Sequence, residues 1–428
     1  MEALLLKALK LADQADVYAK QAVQHAVSFQ SSKLKDITHA EEEGWTLRLI
    51  KDGRLGSATT TKPGSLDVLL EYASNTVKHG SPVGYGLPGA SALTAPRTFD
   101  PRVKEVSQAE MLDLAADMVR ALNAYDPKIK AFAGVGKNYG QMELLNSAGF
   151  KGSMDVTVWH AYLGGELVND DGFLHVYDGI AQADYTSHTE NIKQRVIEAF
   201  RLAKENVSIR PGQYPVIFAP KEVSCLVDPL LACLNGMGIS RGFSPFKGRI
   251  GELAFDHRFS IIDDAAVDGA VGSKGFDREG VPTARRALID QGKIGGYLLD
   301  LQTAHLLGMS PTGNGGSTGP VSNNTVVPGG DKPFGEMLAG IDEGVLIDGT
   351  MGAWAGNPYG GQVSGNISLG YKIEKGKVVG RIKDCMFSVN VFSDLRDNLA
   401  ALSREQEWRG NTCYPYLQLA NVNISTKS

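Results

Sequence analysis

The chain has 428 residues, is 43% hydrophobic and 21% charged, and carries a formal net charge of −5. A single core rarely organises that length, so two domains are expected; a mildly acidic chain with dispersed basic residues offers no field for phosphates, which excludes nucleic acid as a partner. No stretch approaches the roughly 20 apolar residues that cross a bilayer, and the opening MEALLLKALKLADQADVYAKQAV lacks a basic flank and a small-residue cleavage site, so a cytoplasmic location away from membranes is expected.

Helical spacing of apolar residues predicts a first amphipathic helix over 2–25, followed by alternating strands through 30–60. Lys51-Asp52-Gly53-Arg54 marks a hairpin turn between them, because Gly takes the positive φ that a two-residue turn requires. A second helix is expected over 65–78, capped by the Ser65 hydroxyl, then a Gly- and Pro-rich loop over 80–101. Ser107 and Glu110 have capping-box spacing at the start of a helix over 107–125. Strands over 130–184 and a helix over 189–206 complete the first half. Arg210-Pro211-Gly212 breaks that helix and is the expected domain boundary. Beyond it come a strand over 214–219, a helix over 223–234, and short strands with glycine turns, as at 259–264, 295–300 and 365–381. The expected fold is α+β: an α/β N-terminal domain over 1–209 and a strand-rich C-terminal domain over 210–428, whose alternating pattern favours an antiparallel or mixed sheet.

Few segments carry chemistry on their own. Cys225, Cys233, Cys385 and Cys413 are too far apart for a ligand pair and read as buried reduced thiols. The eight histidines are isolated, none at i,i+4 from another. Asp170-Asp171 and Asp263-Asp264 are neighbours that point to opposite faces of a strand, so neither pair makes a dyad, and Asp263-Asp264 reads as turn and cap chemistry. The cluster Gly313-Asn314-Gly315-Gly316-Ser317-Thr318-Gly319 lacks the Lys-Ser/Thr ending of a phosphate loop. Asp277-Arg278-Glu279-Gly280 leads into Val281-Pro282 as strong turn chemistry.

A resemblance adds to this reading. The stretch 276–316, FDREGVPTARRALIDQGKIGGYLLDLQTAHLLGMSPTGNGG, resembles the signature of the TldD/PmbA family. Ala15-Asp16-Val17-Tyr18, Gly44-Trp45, Asp52-Gly53-Arg54, Asn146-Ser147-Ala148-Gly149-Phe150, Asn357-Pro358, Gly370-Tyr371 and Asn390-Val391 follow in the family's order, so that nearly the whole chain is covered. Family members form a zinc-dependent peptidase from two related subunits. One carries a His-Glu-x-x-x-His helix; the other, PmbA or TldE, lacks it.

The resemblance places that helix after the strand Val216-Ile217-Phe218-Ala219-Pro220, where this chain has Asp228, Pro229 and Cys233 opposite the three functional residues and no histidine anywhere between His188 and His257. It therefore implies a PmbA/TldE-type subunit with no catalytic residue, no metal ligand and no cofactor of its own. Zinc is expected in a TldD-like partner subunit, with a homodimer as the other possible assembly, and unfolded peptides as substrates. Gly313, Asn314, Gly315 and Gly316 are expected to form the wall of a peptide channel, where glycine lets a substrate backbone come close and unpaired amides bond it. Asp277, Glu279 and Gly280 are family marks to which the resemblance gives no role. Two other readings stand beside this one: a self-sufficient homo-oligomeric hydrolase with Cys225 or Cys413 as nucleophile, and a regulatory protein-binding factor, in keeping with the family's label as modulator of DNA gyrase.

Overall fold

The computed structural model describes residues 1–62, 64, 66–169, 172–353 and 356–426. The expected cap at Ser65 and the Asp170-Asp171 pair lie outside them. The first part holds α1 (Glu2–Ala8), β1 (Gln14–Gln30), β2 (Lys33–Lys51), β3 (Arg54–Thr60), α2 (Leu66–Val77), β4 (Ser81–Pro82), α3 (Pro101–Glu105), α4 (Gln108–Tyr125), β5 (Lys130–Asn146), β6 (Lys151–Asn169), β7 (Gly172–Gln182) and α5 (Glu190–Leu202). Its seven strands form an antiparallel sheet in the order β4-β3-β2-β1-β5-β6-β7.

The helix expected over 2–25 stops at Ala8, and 14–30 is a strand. The residues Ala15, Ala19, Val23 and Val27 satisfy a helical spacing, but Val17, Ala19, Val23, Val27 and Phe29 also satisfy a period of two. Pairing along nearly the full length with both β2 and β5 decides between them. The β1–β2 hairpin closes through Ser31 and Ser32, both at positive φ, and the β2–β3 hairpin through Asp52 at 50° and Gly53 at 67°. Only the second had a sequence signal, because Asp-Gly favours that backbone and Ser-Ser does not. The Ser107 hydroxyl caps α4 by accepting from the Glu110 amide at 3.1 Å. The reciprocal half of the expected capping box is replaced, since the Glu110 carboxylate instead accepts from the Tyr185 hydroxyl.

The second part holds β8 (Gly212–Phe218), α6 (Ser224–Leu234), α7 (Gly236–Ser240), β9 (Ile261–Asp263), β10 (Arg286–Asp290), β11 (Lys293–Ile294), α8 (Leu301–Leu307), β12 (Thr325–Val326), α9 (Phe334–Ala339), β13 (Glu343–Met351), β14 (Gln362–Glu374), β15 (Lys377–Ile382), β16 (Cys385–Asn390), α10 (Val391–Asp397), β17 (Leu399–Arg409) and β18 (Thr412–Thr426). The sheet is mixed: β13 runs parallel to β8 and β12 parallel to β18, and the other pairings are antiparallel. Because β18 pairs with both β16 and β8, the strands β8, β13, β14, β16 and β18 close into a ring around Phe218, Phe387, Leu417 and Leu419. The strand expected over 295–300 is absent. A Cβ at Gly295 would lie 2.5 Å from the Ala287 carbonyl, so the chain passes too close for side chains there, and Asp300 then caps α8 by accepting from the Thr303 amide at 2.8 Å.

The two sheets share apolar contacts. Met118, Val196 and Phe200 of α4 and α5 belong to one continuous core with Ile217, Leu346, Leu369 and Tyr371 of the second sheet.

Candidate functional site

Helix α6 follows β8, as the apolar run and the turn at Pro220 require. The three positions of interest do not converge on it: Asp228 is exposed, Pro229 has neither a ligand atom nor a backbone N–H, and Cys233 is buried with its thiol donating to the Pro358 carbonyl at 3.5 Å. Burial pushes the Cys233 thiol up to about 12, so it stays protonated at neutral pH. Zinc binding needs neutral imidazole, thiolate or carboxylate donors in a tetrahedral array, and this set does not fit one. Among the described residues no three His, Cys, Asp or Glu side chains are grouped to hold a metal ion. Burial also raises Cys225 well above the ordinary thiol range and Cys413 to about 11. A thiolate is the nucleophile in cysteine catalysis, and these surroundings oppose it.

The turn at 277–280 proves to be a junction of three elements. One oxygen of the buried Asp277 carboxylate accepts from the amides of Glu279 (2.8 Å) and Val281 (2.9 Å), and the other accepts from the Gly315 amide (2.6 Å). Gly280 completes the turn at φ 84°, where a Cβ would also sit 3.1 Å from the Phe150 ring. Glu279 accepts from the Leu301 amide at the start of α8 (2.7 Å) and from Arg48 Nη1 on β2 (3.2 Å). Arg48 Nε in turn donates to Asp16 on β1 at 2.8 Å. The signature therefore ties the first sheet to the second half of the chain through a bridged trio, Asp16, Arg48 and Glu279, whose side chains are 1%, 13% and 7% exposed. Burial outweighs the arginine and pushes Glu279 up to about 7, and burial likewise raises Asp16. The Arg278 guanidinium lies 3.6 Å over the Tyr18 ring and falls to about 10, through burial first and Arg48 second. A second family mark joins from below: Asn146 accepts from the amides of Ala148 and Phe150, setting Phe150 edge-on to Phe276.

The glycine-rich loop is held by the same junction. Gly313, Asn314 and Gly315 are buried; the Gly315 amide is spent on Asp277, and Asn314 Nδ2 donates to Asp263 (2.7 Å) and to the Val321 carbonyl (2.9 Å). The half-buried Gly316 donates to the Gly319 carbonyl at 3.0 Å. A flexible wall with unpaired amides thus does not describe Gly315 or Gly316, because a buried amide must be paired and these are paired internally. Asp263 also departs from turn chemistry. It is fully buried and accepts from Asn314 Nδ2, Asn323 Nδ2 and the Asn323 amide, while its neighbour Asp264 takes the turn role by accepting from the Ala266 amide. Asn314, Asn323 and Asn324 around one glycine cluster were the sequence signal for this network. The structure also pairs two histidines far apart in sequence, His25 and His39, whose Nδ1 atoms lie 3.3 Å apart across β1 and β2.

Two family profiles match the chain: PmbA/TldA metallopeptidase domain 1 over residues 15–78 and the PmbA/TldA metallopeptidase C-terminal domain over residues 211–426. The chain belongs to the PmbA/TldD metallopeptidase family. It is 27% identical over 386 residues to an uncharacterized protein of Methanocaldococcus jannaschii, covering 87% of each chain. To a metalloprotease of Methanothermobacter thermautotrophicus it is 24% identical over 404 residues, covering 90% of this chain and 86% of that one. The fold matches the crystal structure of TldE from Thermococcus kodakarensis with a TM-score of 0.91 at 23% identity, over 99% of both chains. Asp16 and Arg48 lie in the segment matched by the first profile and Glu279 in the segment matched by the second, so the junction links the two matched segments.

Proposed function

We propose that this chain is the PmbA/TldE-type, non-catalytic subunit of a zinc-dependent peptidase complex that processes unfolded peptides or peptide precursors in the cytoplasm. The observation that carries this reading is the make-up of α6: exposed Asp228, Pro229 and a buried, protonated Cys233 occupy the positions that the resemblance matches to the two imidazoles and the carboxylate of a catalytic subunit. In such a complex a TldD-like partner supplies the zinc, which activates water and polarises the scissile carbonyl, and a glutamate that handles the water proton. This chain's part is to complete the chamber and to offer strand edges along which an extended peptide is held by main-chain bonds. Of the glycine loop, the stretch 316–319 is left to face a substrate, since 313–315 is buried.

Mixing the purified chain with a TldD-like subunit from the same organism, and following cleavage of an unfolded peptide, tests the reading. The expected result is negligible cleavage alone and chelator-sensitive cleavage by the pair, abolished when the glutamate of the partner's motif is replaced. Asp228→Ala or Cys233→Ala in this chain should leave the activity within a few-fold. A folded Cys233→Ala variant that lost activity as completely as the partner's glutamate change would overturn it.

A further inference from the structure

The pair formed by His25 and His39 takes no part in the reading of α6. The two residues lie directly opposite one another on β1 and β2. Strand β3 pairs with β2 over 45–51, beyond His39, which is left exposed while His25 is half-buried. The rings sit side by side, with centroids 4.5 Å apart and Nδ1 atoms 3.3 Å apart. That separation is longer than the roughly 2.7–3.2 Å of a good hydrogen bond. It matches the spacing of two nitrogens on one tetrahedral ion: at about 2.0–2.1 Å from zinc they lie about 3.3–3.4 Å from each other. Neighbouring corners of a square or an octahedron would bring them to about 2.8–3.0 Å, so the geometry selects zinc over ions that favour those arrangements.

The surroundings leave a lone pair free between the rings. His39 Nε2 lies 3.2 Å from Glu41 Oε1. An ionised carboxylate only accepts, so Nε2 carries the hydrogen and Nδ1 of the neutral ring is a bare acceptor. A carboxylate on the far nitrogen is also the usual support of a histidine that ligates zinc. Burial first, then His39 and Lys137, lower the pKa of His25 against the opposing pull of Glu41, which favours the neutral imidazole that a metal requires. Lys137 stands opposite His25 on β5, but its ammonium donates to the carbonyls of Lys104 at 2.7 Å and Val106 at 2.5 Å.

We propose that His25 and His39 form a zinc site outside the peptidase centre, ligating through both Nδ1 atoms, with Glu41 holding His39 in place and water in the remaining two positions. His25 then carries its hydrogen on Nε2. Two protein ligands make a weak site, whose ion leaves on dialysis. The site stands apart from α6 and does not depend on the subunit reading.

Calorimetric titration of the dialysed full chain with zinc chloride, beside magnesium chloride, tests the proposal. Zinc should bind at one site per chain below millimolar concentration, and magnesium, which takes oxygen donors, should not bind. His25→Asn and His39→Asn should each weaken zinc binding at least about tenfold, and Glu41→Ala about tenfold, as the loss of an outer-shell partner does. His39 and Glu41 are exposed, so their variants should fold even if His25→Asn does not. The proposal fails if zinc does not bind below millimolar concentration, if magnesium binds as well as zinc, or if a folded His39→Asn chain keeps the full zinc affinity.

Discussion

Replacing Glu279 by Gln should change how the stability of this protein depends on pH. Glu279 titrates near 7 in the folded chain against an ordinary value of 4.5, with burial as the dominant cause and the Arg48 guanidinium opposing it. The folded state therefore holds the proton more tightly than the unfolded one. The resulting stabilisation is fully present below about pH 4.5 and is lost as pH rises through about 7. A difference of roughly 2.5 pH units, at about 1.4 kcal/mol each, amounts to about 3 kcal/mol. Gln carries no such linkage; it loses one hydrogen-bond acceptor at every pH, which adds a constant offset. The raised carboxylates of Asp16, Asp263 and Asp277 are common to both proteins and cancel in the difference. For a chain of this length the unfolding entropy is about 0.9 kcal/mol per kelvin, so the gap between the two melting temperatures should move by about 3 °C between pH 5 and pH 8, in favour of the variant at pH 8. Calorimetric melts of both proteins at a series of pH values check this. Parallel curves across the whole range would refute the assignment of a near-neutral proton to Glu279.

Arg48→Met leaves Asp16 and Glu279 buried without their shared cation, and should cost about 3–5 kcal/mol in urea unfolding at pH 8, well above the cost of Glu279→Gln. Asp263→Ala strands three buried donors, from Asn314 and Asn323. At roughly 1–3 kcal/mol for each unsatisfied group, a loss of at least about 3 kcal/mol is expected, together with faster hydrogen exchange of the Asn323 amide.

Much of the fold was legible because local signals agreed with tertiary ones. The Asp52-Gly53 turn, the Ser107 cap and the strand–helix step into α6 each rest on chemistry that acts within a few residues, whereas α5 stops at Leu202, well before Pro211, which therefore does not break it. The opening of the chain was misread because residues 14–30 satisfy two periodicities, and only pairing with β2 and β5 separates them. Ring closure through β8 and β18 joins residues some 200 positions apart and leaves no local trace. The family signature showed turn chemistry at 277–280 but not its reach to Arg48 and Leu301, since a carboxylate's distant partners are set by the fold. The channel role given to Gly313, Asn314, Gly315 and Gly316 was drawn from the family resemblance; burial and internal pairing of these residues depend on Asp263 and Asp277, which lie far off in sequence.

The zinc content of the purified chain tests the central claim most directly. After expression without a partner, removal of loosely held ions by dialysis and elemental analysis, the expected zinc level is far below one per chain, with no chelator-sensitive cleavage of an unfolded peptide, because Asp228, Pro229 and Cys233 supply neither the donors nor the geometry of a tetrahedral site. About one tightly bound zinc per chain, removed by chelator along with peptidase activity, would contradict the assignment and make this chain a catalytic subunit.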